Sequence, residues 1–438
     1  MTELNSSVRH RYGVGAFALA VGNSAVLFFL FKYLTDSLAI SPAAAGAMLM
    51  VARAWDAVSD PLLGVVYDQS IASGRIGPRS WLRLAALAWG AVMMMLWSWP
   101  FGTSGVVGHA SVQLMLLLYF TAYTAVVVPY GTLTVVLART YQDRTRLNVA
   151  RMLWSMVGGI VVGVCFPLLA QPKSPTPSWW LAALVMAPFV VGPLLVSSST
   201  APQRTPHLPG QSRIGNLRKV LSYGRFWRVA AGFSIPWACV SVIAAAIPYL
   251  MDSCLGQPER TDIVFAAIQI SALLFVVPIG WLAGRLQKHI ALSLGLLSWA
   301  CALMPMALAS ELSVQVVMLS CILVGPGVAA VHVLPWAQLP DVIELDPEGQ
   351  GEARSGAYYG AMTFVEKLMS ALALGAMGLA LESVGYVPEV SEGSPQLQQM
   401  LVQIIAVVPA CVLVLTALLS FWSPPAKPSE LRSSAASA

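Results

Sequence analysis

The sequence predicts an all-α polytopic membrane protein with twelve transmembrane helices in two six-helix halves. Three observations predict it. Hydrophobic residues fill 57% of the 438 positions and charged residues only 10%, with a mean hydropathy of +0.72. Soluble domains carry about 25% charged residues, so this chain has too little charge to cover a water-facing surface. It is also far too apolar to stay disordered. The apolar residues fall into twelve runs, each near the ~20 residues a helix needs to cross hydrocarbon. Lys and Arg concentrate in alternate connections between those runs.

Taken in order, the runs span residues 11–35, 41–67, 81–101, 111–138, 147–171 and 178–198, then 227–251, 261–284, 289–309, 313–339, 357–384 and 396–422. The first follows Arg9 and Arg11 and lacks a small-residue cleavage site, so it reads as a true span and not a removable signal. The second is set apart by the charges it carries. Residues 199–226 form the longest connection, rich in Ser, Pro and Arg, and read as a cytoplasmic linker. The expected layout is an N-terminal half over 1–198, that linker, a C-terminal half over 227–422, and a disordered cytoplasmic tail over 423–438.

Basic residues favour the cytoplasmic side of a membrane protein. The even-numbered connections and both tails hold all the Lys and Arg except Lys32, Lys173 and Arg260 in odd-numbered connections and Arg53 and Lys367 inside spans. This places both termini in the cytoplasm of a cell whose inner or plasma membrane holds the protein. A missed or extra span would scramble the alternation. The net charge of +5 is therefore an orientation signal. The basic residues are scattered without interleaved aromatics, so no nucleic-acid partner is expected; the partners are the lipid bilayer and a small-molecule substrate, and a monomer is expected. Of the six cysteines, five lie in apolar runs and none has CxxC spacing, which gives neither a disulfide framework nor a metal site. The sequence carries no GxxxxGK[ST], HExxH or GxSxG motif, so no enzyme, catalytic residue or cofactor is expected, and uphill transport would draw on an ion gradient.

A charge at the bilayer centre costs roughly 2.5–3.5 kcal/mol on insertion scales, so the few intramembrane charges are the candidates for function. The second run carries Arg53, Asp56 and Asp60 at i, i+3 and i+7, which places them on one face of a helix. Two carboxylates a turn apart repel unless a proton or cation lies between them. Arg53 offsets one of the two charges, and the surplus is the chemistry of a monovalent-cation or proton site, with Ser59 able to add a neutral oxygen. The alternative is a structural ion pair of Arg53 with one Asp. The eleventh run carries Glu366 and Lys367. Lys367 lies too deep to reach water easily and needs a partner, with Asp56 or Asp60 the obvious one. Glu366 faces the lumen or pairs with a Ser or Thr on a neighbouring helix. Arg151 opens the fifth run, either as one more positive-inside residue or as a functional one. Asn23, Tyr123 and His332 are candidate substrate contacts; Asn23 and His332 are equally readable as helix–helix hydrogen-bonding residues. Thr124 can bond to its own backbone, and Lys32, near the outer end of the first run, is expected to snorkel.

A weak internal repeat joins the halves. Pro129-Tyr130-Gly131 near the end of the fourth run matches Pro335-Trp336-Ala337 in the tenth, and the Gly64–Asp68 end of the second run matches Gly280–Arg285 of the eighth. Two similar six-span halves are the plan of major facilitator transporters, whose sites lie near the midplane.

Several stretches together resemble the glycoside–pentoside–hexuronide:cation symporters, the melibiose permease-like family of the major facilitator superfamily. They are Tyr12–Phe17, Tyr33–Asp36, Arg53-Ala54-Trp55-Asp56-Ala57-Val58-Ser59-Asp60-Pro61, Val128–Tyr130, Asp143–Leu147, Leu339–Ile343, Glu352–Gly360, Glu366-Lys367 and Gly385–Pro388. They run nearly the whole chain, and the block on the second run is the most specific. The resemblance implies a major facilitator fold and symport of a sugar-like solute with sodium, lithium or a proton. It implies a cation held by Asp56 and Asp60 with help from Ser59 and Thr124, with Lys367 and Arg151 at the family's lysine and arginine positions and no metal beyond a Na+ at Asp56 and Asp60. The chain also departs from the pattern. The family's Lys-Asp pair in the first span falls at Leu19-Ala20 and its fourth-span Asp at Val126-Val127-Val128, while the stacking aromatic of the tenth falls at His332. A carboxylate is a strong hydroxyl anchor, so losing both leaves a more apolar cavity. The expected substrate is a small, glycoside-like organic solute; an amphipathic or lysolipid-like one is the alternative, and a non-transporting sensor or assembly factor the alternative of another class.

Overall fold

The structure, a computed structural model, describes residues 6–99, 103, 105–137, 141–171, 177–202, 214–309, 312–346, 355–387 and 394–421. The tail, most of the 199–226 linker's central stretch and Glu352–Arg354 of the resemblance lie outside those residues. The helices are α1 (Ser6–Lys32), α2 (Pro42–Ala72), α3 (Pro78–Trp97), α4 (Gly105–Leu137), α5 (Tyr141–Ala170), α6 (Trp179–Ser198), α7 (Ile214–Leu221), α8 (Gly224–Tyr249), α9 (Thr261–Arg285), α10 (Lys288–Leu308), α11 (Val314–Leu323), α12 (Gly325–Glu344), α13 (Ser355–Ser383), α14 (Pro395–Val402) and α15 (Val408–Phe421). No strand occurs among the described residues. Eleven stretches among them are long and apolar enough to cross a membrane. The remaining expected span, the second, is α2, which has the length at 31 residues but carries Arg53, Asp56, Asp60 and Asp68. The fold is all-α and polytopic.

Two expected spans are interrupted. The tenth divides at Val324 into α11 and α12, and the twelfth passes through a π-helical turn, Gln403–Val407, between α14 and α15. The break in the tenth has a local cause. Pro326 has no N–H, so the Ile322 carbonyl four residues earlier loses its helical donor. The Ser271 hydroxyl on α9 donates to that carbonyl at 2.5 Å. A Cβ on Gly325 would lie 2.0 Å from Ser271 Oγ and 2.7 Å from the Ser271 carbonyl carbon, so only glycine permits this approach. The same solution appears at Pro129 in α4, where the freed Ala125 carbonyl accepts from Trp81 Nε1 on α3 at 3.1 Å. Neighbouring helices re-satisfy what proline releases, as hydrocarbon requires.

The chain divides into two compact units. The first comprises Met1–Gly210 with two short segments from later in the chain, Gly256–Ala266 and Tyr386–Val390; the second comprises Gln211–Leu255, Ala267–Gly385 and Ser391–Ala438. In the first unit α1 packs on α5 and α6, α3 on α4 and α6, and α2 on α4. In the second, α8 packs on α13 and α15, and α10 on α12 and α15. The pairings of α1 and α3 thus recur one six-span period later. The α1–α5 contact is close because Gly13 meets the Trp154 ring and Gly158 meets the Phe17 carbonyl, where a Cβ would approach within 2.4 and 2.6 Å. The second unit packs a core of Phe226, Phe233, Leu339, Tyr358 and Met362.

One expectation is corrected here. Lys32 does not snorkel: it is 3% exposed, and its Nζ donates to Asp36 Oδ2 at 2.5 Å. The cause is a π-helical turn, Tyr33–Ser37, that extends the first span past the end of α1 and carries Asp36 one turn beyond the lysine.

Ser271→Ala should destabilise the protein by about 1 kcal/mol, the scale of an interhelical hydrogen bond in a membrane, read as a lower midpoint of thermal unfolding in detergent. In a Pro326→Ala background the same change should be nearly silent, because residue 326 then has an N–H for the Ile322 carbonyl.

Candidate functional site

The site forms where α2 crosses α4. Both are long helices with an internal proline, Pro61 and Pro129, and the contact is tied by Trp55 Nε1 donating to Thr121 Oγ1 at 2.9 Å. One turn along α4 from Thr121 stands Thr124, fully buried. Its hydroxyl lies 3.1 Å from Asp56 Oδ1 and 3.0 Å from Asp60 Oδ1. Ser59 Oγ is 3.3 Å from the same hydroxyl and donates to the Asp56 carbonyl at 3.1 Å. Four of the residues the sequence marks for a cation, Asp56, Ser59, Asp60 and Thr124, thus present oxygens around one point. Thr124 does not spend its hydroxyl on its own helix.

A threonine hydroxyl has one proton. It donates to one of the two carboxylate oxygens at a time, so the other close contact calls for a proton on a carboxyl group or a cation among the oxygens. Asp56 is 0% exposed, and a buried charge without compensation is costly. Arg53 supplies one positive charge, with Nη1 3.9 Å from Asp56 Oδ2 and the guanidinium 5.0 Å from the centre of the Phe120 ring. The ring holds it by its electron-rich face. That contact draws Arg53 to a longer distance from Asp56 than a direct hydrogen bond. One arginine and two carboxylates thus stand on the same helix, and hard oxygen donors suit hard cations.

The other candidates fall into two groups. In the first unit, Asn23 is half-buried on α1, beside Gly22, whose carbonyl accepts from the buried Tyr119 hydroxyl on α4 at 3.0 Å. Tyr123 packs on Trp89 with ring centres 5.2 Å apart. Arg151 is half-buried on α5 and an electrostatic neighbour of Tyr130. Tyr130 stacks on Tyr12 at 4.8 Å. In the second unit, Glu366 Oε1 accepts from Ser370 Oγ at 3.1 Å, and Ser370 accepts in turn from Ser241 on α8 at 3.1 Å. Lys367 stands beside it, half-buried on α13. His332 Nδ1 is 2.8 Å from the Val328 carbonyl. A carbonyl only accepts, so Nδ1 carries the proton and Nε2 is the remaining acceptor of a neutral ring. Its ring lies 4.8 Å from that of Trp237, which begins an aromatic run through Phe233 and Trp336 to Tyr359.

Sequence reasoning missed the aromatic run and the Lys32–Asp36 pair. A signal for the pair was present: Tyr33-Leu34-Thr35-Asp36-Ser37 recurs as Tyr249-Leu250-Met251-Asp252-Ser253, and each copy lies at a π-helical turn, Tyr33–Ser37 after α1 and Leu250–Cys254 after α8. Such turns are rare and gather at functional sites.

With this geometry in hand, comparisons with known proteins bear on it. The profile of the family described as MFS/sugar transport protein matches residues 11–424. An uncharacterised symporter of Synechocystis is 25% identical over 483 residues, covering 89% of this chain and 87% of its own. The sodium-dependent lysophosphatidylcholine symporter 1 of Mus musculus is 25% identical over 453 residues, covering 94% and 84%. Among solved structures, a D-xylose–proton symporter superposes with a TM-score of 0.69 at 14% identity, covering 96% of this chain and 98% of that one. The nucleoside transporter NupG does so with 0.65 at 14% identity, covering 95% and 100%. These likenesses in structure carry the fold.

Thr124→Val should destabilise the protein by about 1–2 kcal/mol, because it removes the donor that the buried Asp56 and half-buried Asp60 carboxylates share. Thr124→Ser should retain wild-type stability. Thermal unfolding at neutral pH separates the two.

Proposed function

The chain belongs to the MFS/sugar transport protein family, and from that premise we propose that it is a secondary active transporter that couples the inward movement of a monovalent cation to symport of a small organic solute. The observation that carries this reading is the shared hydroxyl of Thr124 between Asp56 and Asp60. The cation, a sodium ion or a proton, occupies the oxygens of Asp56, Asp60, Thr124 and Ser59. Lys367 balances the carboxylates when the cation is absent. Family transporters alternate access around a midplane site between their two repeats, and a cation that neutralises α2 lowers the cost of exposing that site to a dry environment. The names of relatives support sodium: a sodium-dependent symporter aligns over 94% of this chain. Both termini lie in the cytoplasm, the linker over 199–226 joins the halves on that side, and the protein works as a monomer.

The substrate contacts are Asn23, Tyr123, Arg151 and His332, with Glu366 held by Ser370 as a supporting charge. A glycoside-like solute fits the family, and the neutral His332 offers Nε2 to a hydroxyl. A second reading has its own support. The positions of the sugar-anchoring carboxylates hold Leu19, Ala20 and Val126–Val128, and the mouse relative named above is a lysophosphatidylcholine symporter. An amphipathic, lysolipid-like substrate suits the loss of those anchors, and the Phe233–Trp237–Trp336–Tyr359 aromatics of the second unit are surfaces that such a substrate favours.

Sodium should raise the thermal midpoint of the purified protein saturably, against choline at equal ionic strength. A ligand of the folded state at 100 times its Kd adds about 2.7 kcal/mol. Asp60→Asn should lose the response. A midpoint that follows pH and ignores sodium would assign the site to protons, and one that follows neither would remove the symport reading. In proteoliposomes, Lys367→Ala should weaken the dependence of uptake on the ion gradient, tested with a panel of sugars, organic anions and lysolipids.

A further inference from the structure

The first unit contains two short segments from the second half of the sequence, Gly256–Ala266 and Tyr386–Val390. Each runs directly into a stretch of the second unit, beginning at Ala267 in one case and ending at Gly385 in the other. Both are therefore places where the chain crosses from one unit to the other. What holds them in the first unit is specific. Phe265, 2% exposed, stacks on Phe28 with ring centres 4.2 Å apart and meets Phe29 edge-on at 5.5 Å. The Tyr386 hydroxyl donates to Asp36 Oδ1 at 3.1 Å. The residues they meet, Phe28, Phe29 and Asp36, all belong to the far end of the first span.

That end is built to receive them. Asp36 stands on the π-helical turn, its Oδ2 taken by Lys32 Nζ at 2.5 Å and its Oδ1 also accepting from Thr35 at 2.6 Å. The turn is pinned on both sides. Trp179 Nε1 donates to Ser37 Oγ at 2.7 Å, and Thr103 donates to the Leu38 carbonyl at 2.8 Å. The backbone then passes through Ala39 at φ +52°, a left-handed conformation that an alanine holds only when its surroundings impose it. On the donor side, Gly385 at φ +65° ends α13 and turns the chain so that Tyr386 comes next. Lysine cancels the carboxylate's charge, so the tie to Tyr386 is a hydrogen bond to an already neutral pair, and it breaks without stranding a charge. The second copy of the motif lacks this arrangement, because Pro248 stands where Lys32 does.

We propose that Lys32, Asp36 and Tyr386 form a latch, seconded by Phe265, that closes the non-cytoplasmic end of the first span and opens once per transport cycle to admit substrate from that side. The cycle in this statement rests on the symport reading, whereas the latch itself does not.

Hydrogen exchange of the full-length protein in lipid nanodiscs tests it without a substrate. Tyr386→Phe should speed exchange of the amides around 384–387 and 262–266 roughly two- to twelvefold, the factor that one hydrogen bond is worth. Asp36→Asn, which also strips the buried Lys32 of its countercharge, should speed the same amides at least as much, and adding Tyr386→Phe to it should speed them no further, since one bond joins the two side chains. Exchange within α10 should not change. Unchanged exchange in Tyr386→Phe, or multiplying effects in the double variant, overturns the latch. Should Asp36→Asn fail to fold, Tyr386→Phe with Phe265→Leu as its partner gives the same reading, both variants loosening the two segments together. With the latch established, uptake of whichever panel compound the wild type accumulates should show a changed apparent KM in Tyr386→Phe, and an unchanged one overturns its role in the cycle. A wild type that accumulates none of the panel and ignores sodium removes the symport reading while leaving the exchange result, and the latch, standing.

Discussion

Hydrocarbon solvates neither a peptide carbonyl nor a charge, and this protein is organised by that constraint. Every group that water would serve elsewhere must be served by a neighbouring helix. The two proline-freed carbonyls show it at the scale of one bond, with Ser271 answering Ile322 and Trp81 answering Ala125. These bonds do more than repair a helix. They fix which helix must lie beside which, because the donor stands on a different element from the acceptor. Glycine at 325 then sets how near the two come. Proline, glycine and a single hydroxyl together specify a packing contact that apolar surface alone would leave free to slide, since lipid competes equally well for leucine.

The same constraint sorts the charges. Lys32 with Asp36 and Lys288 with Asp341 are settled pairs, one cation to one carboxylate at 2.5 and 2.7 Å. The α2 set is built differently. It has two carboxylates on one helix, an arginine held 3.9 Å off by its ring contact, and one hydroxyl placed to serve both acids. Oxygens from α2 and α4 converge there on one buried hydroxyl. This is why the scarcity of intramembrane charge is informative: where each charge is expensive, acids gathered around a shared donor mark the place to look for function.

Much of this was legible in the sequence. The spans, their alternating basic loops and the α2 spacing all follow from periods and costs that act along one helix. Asp56 and Asp60 share a face by arithmetic alone. What was not legible lies across helices or in departures from the α-helical period. Lys32 was read as a snorkelling residue because its depth was counted along an ordinary helix end. A π-helical turn lengthens the span and gives the lysine a carboxylate instead of water. Thr124 had two partners open to it, its own backbone or the acids of another helix, and nothing local decides between them. The aromatic run from Trp237 to Tyr359 draws on three helices, so no periodicity within one segment announces it.

The repeated Tyr-Leu-x-Asp-Ser turn carries the argument a step further. The pairing scheme of α1, α3, α4, α5 and α6 returns in α8, α10, α12, α13 and α15, so the two units solve the same packing problem twice. Features kept in both copies are then explained by packing, and the π-helical turn is one of them. Features kept in one copy need another cause. Arg53, Asp56 and Asp60 lie on α2, whereas its counterpart α9 keeps Asp262 and Arg285 at its two ends and no charge between. Lys32 likewise stands immediately before the first copy of the motif and Pro248 immediately before the second. Both asymmetries place charge in the same half. A scaffold that places two acids and an arginine along α2 and no charge along the interior of α9 has not been shaped by packing alone: charge that costs free energy in hydrocarbon stands in one copy because something other than packing retains it.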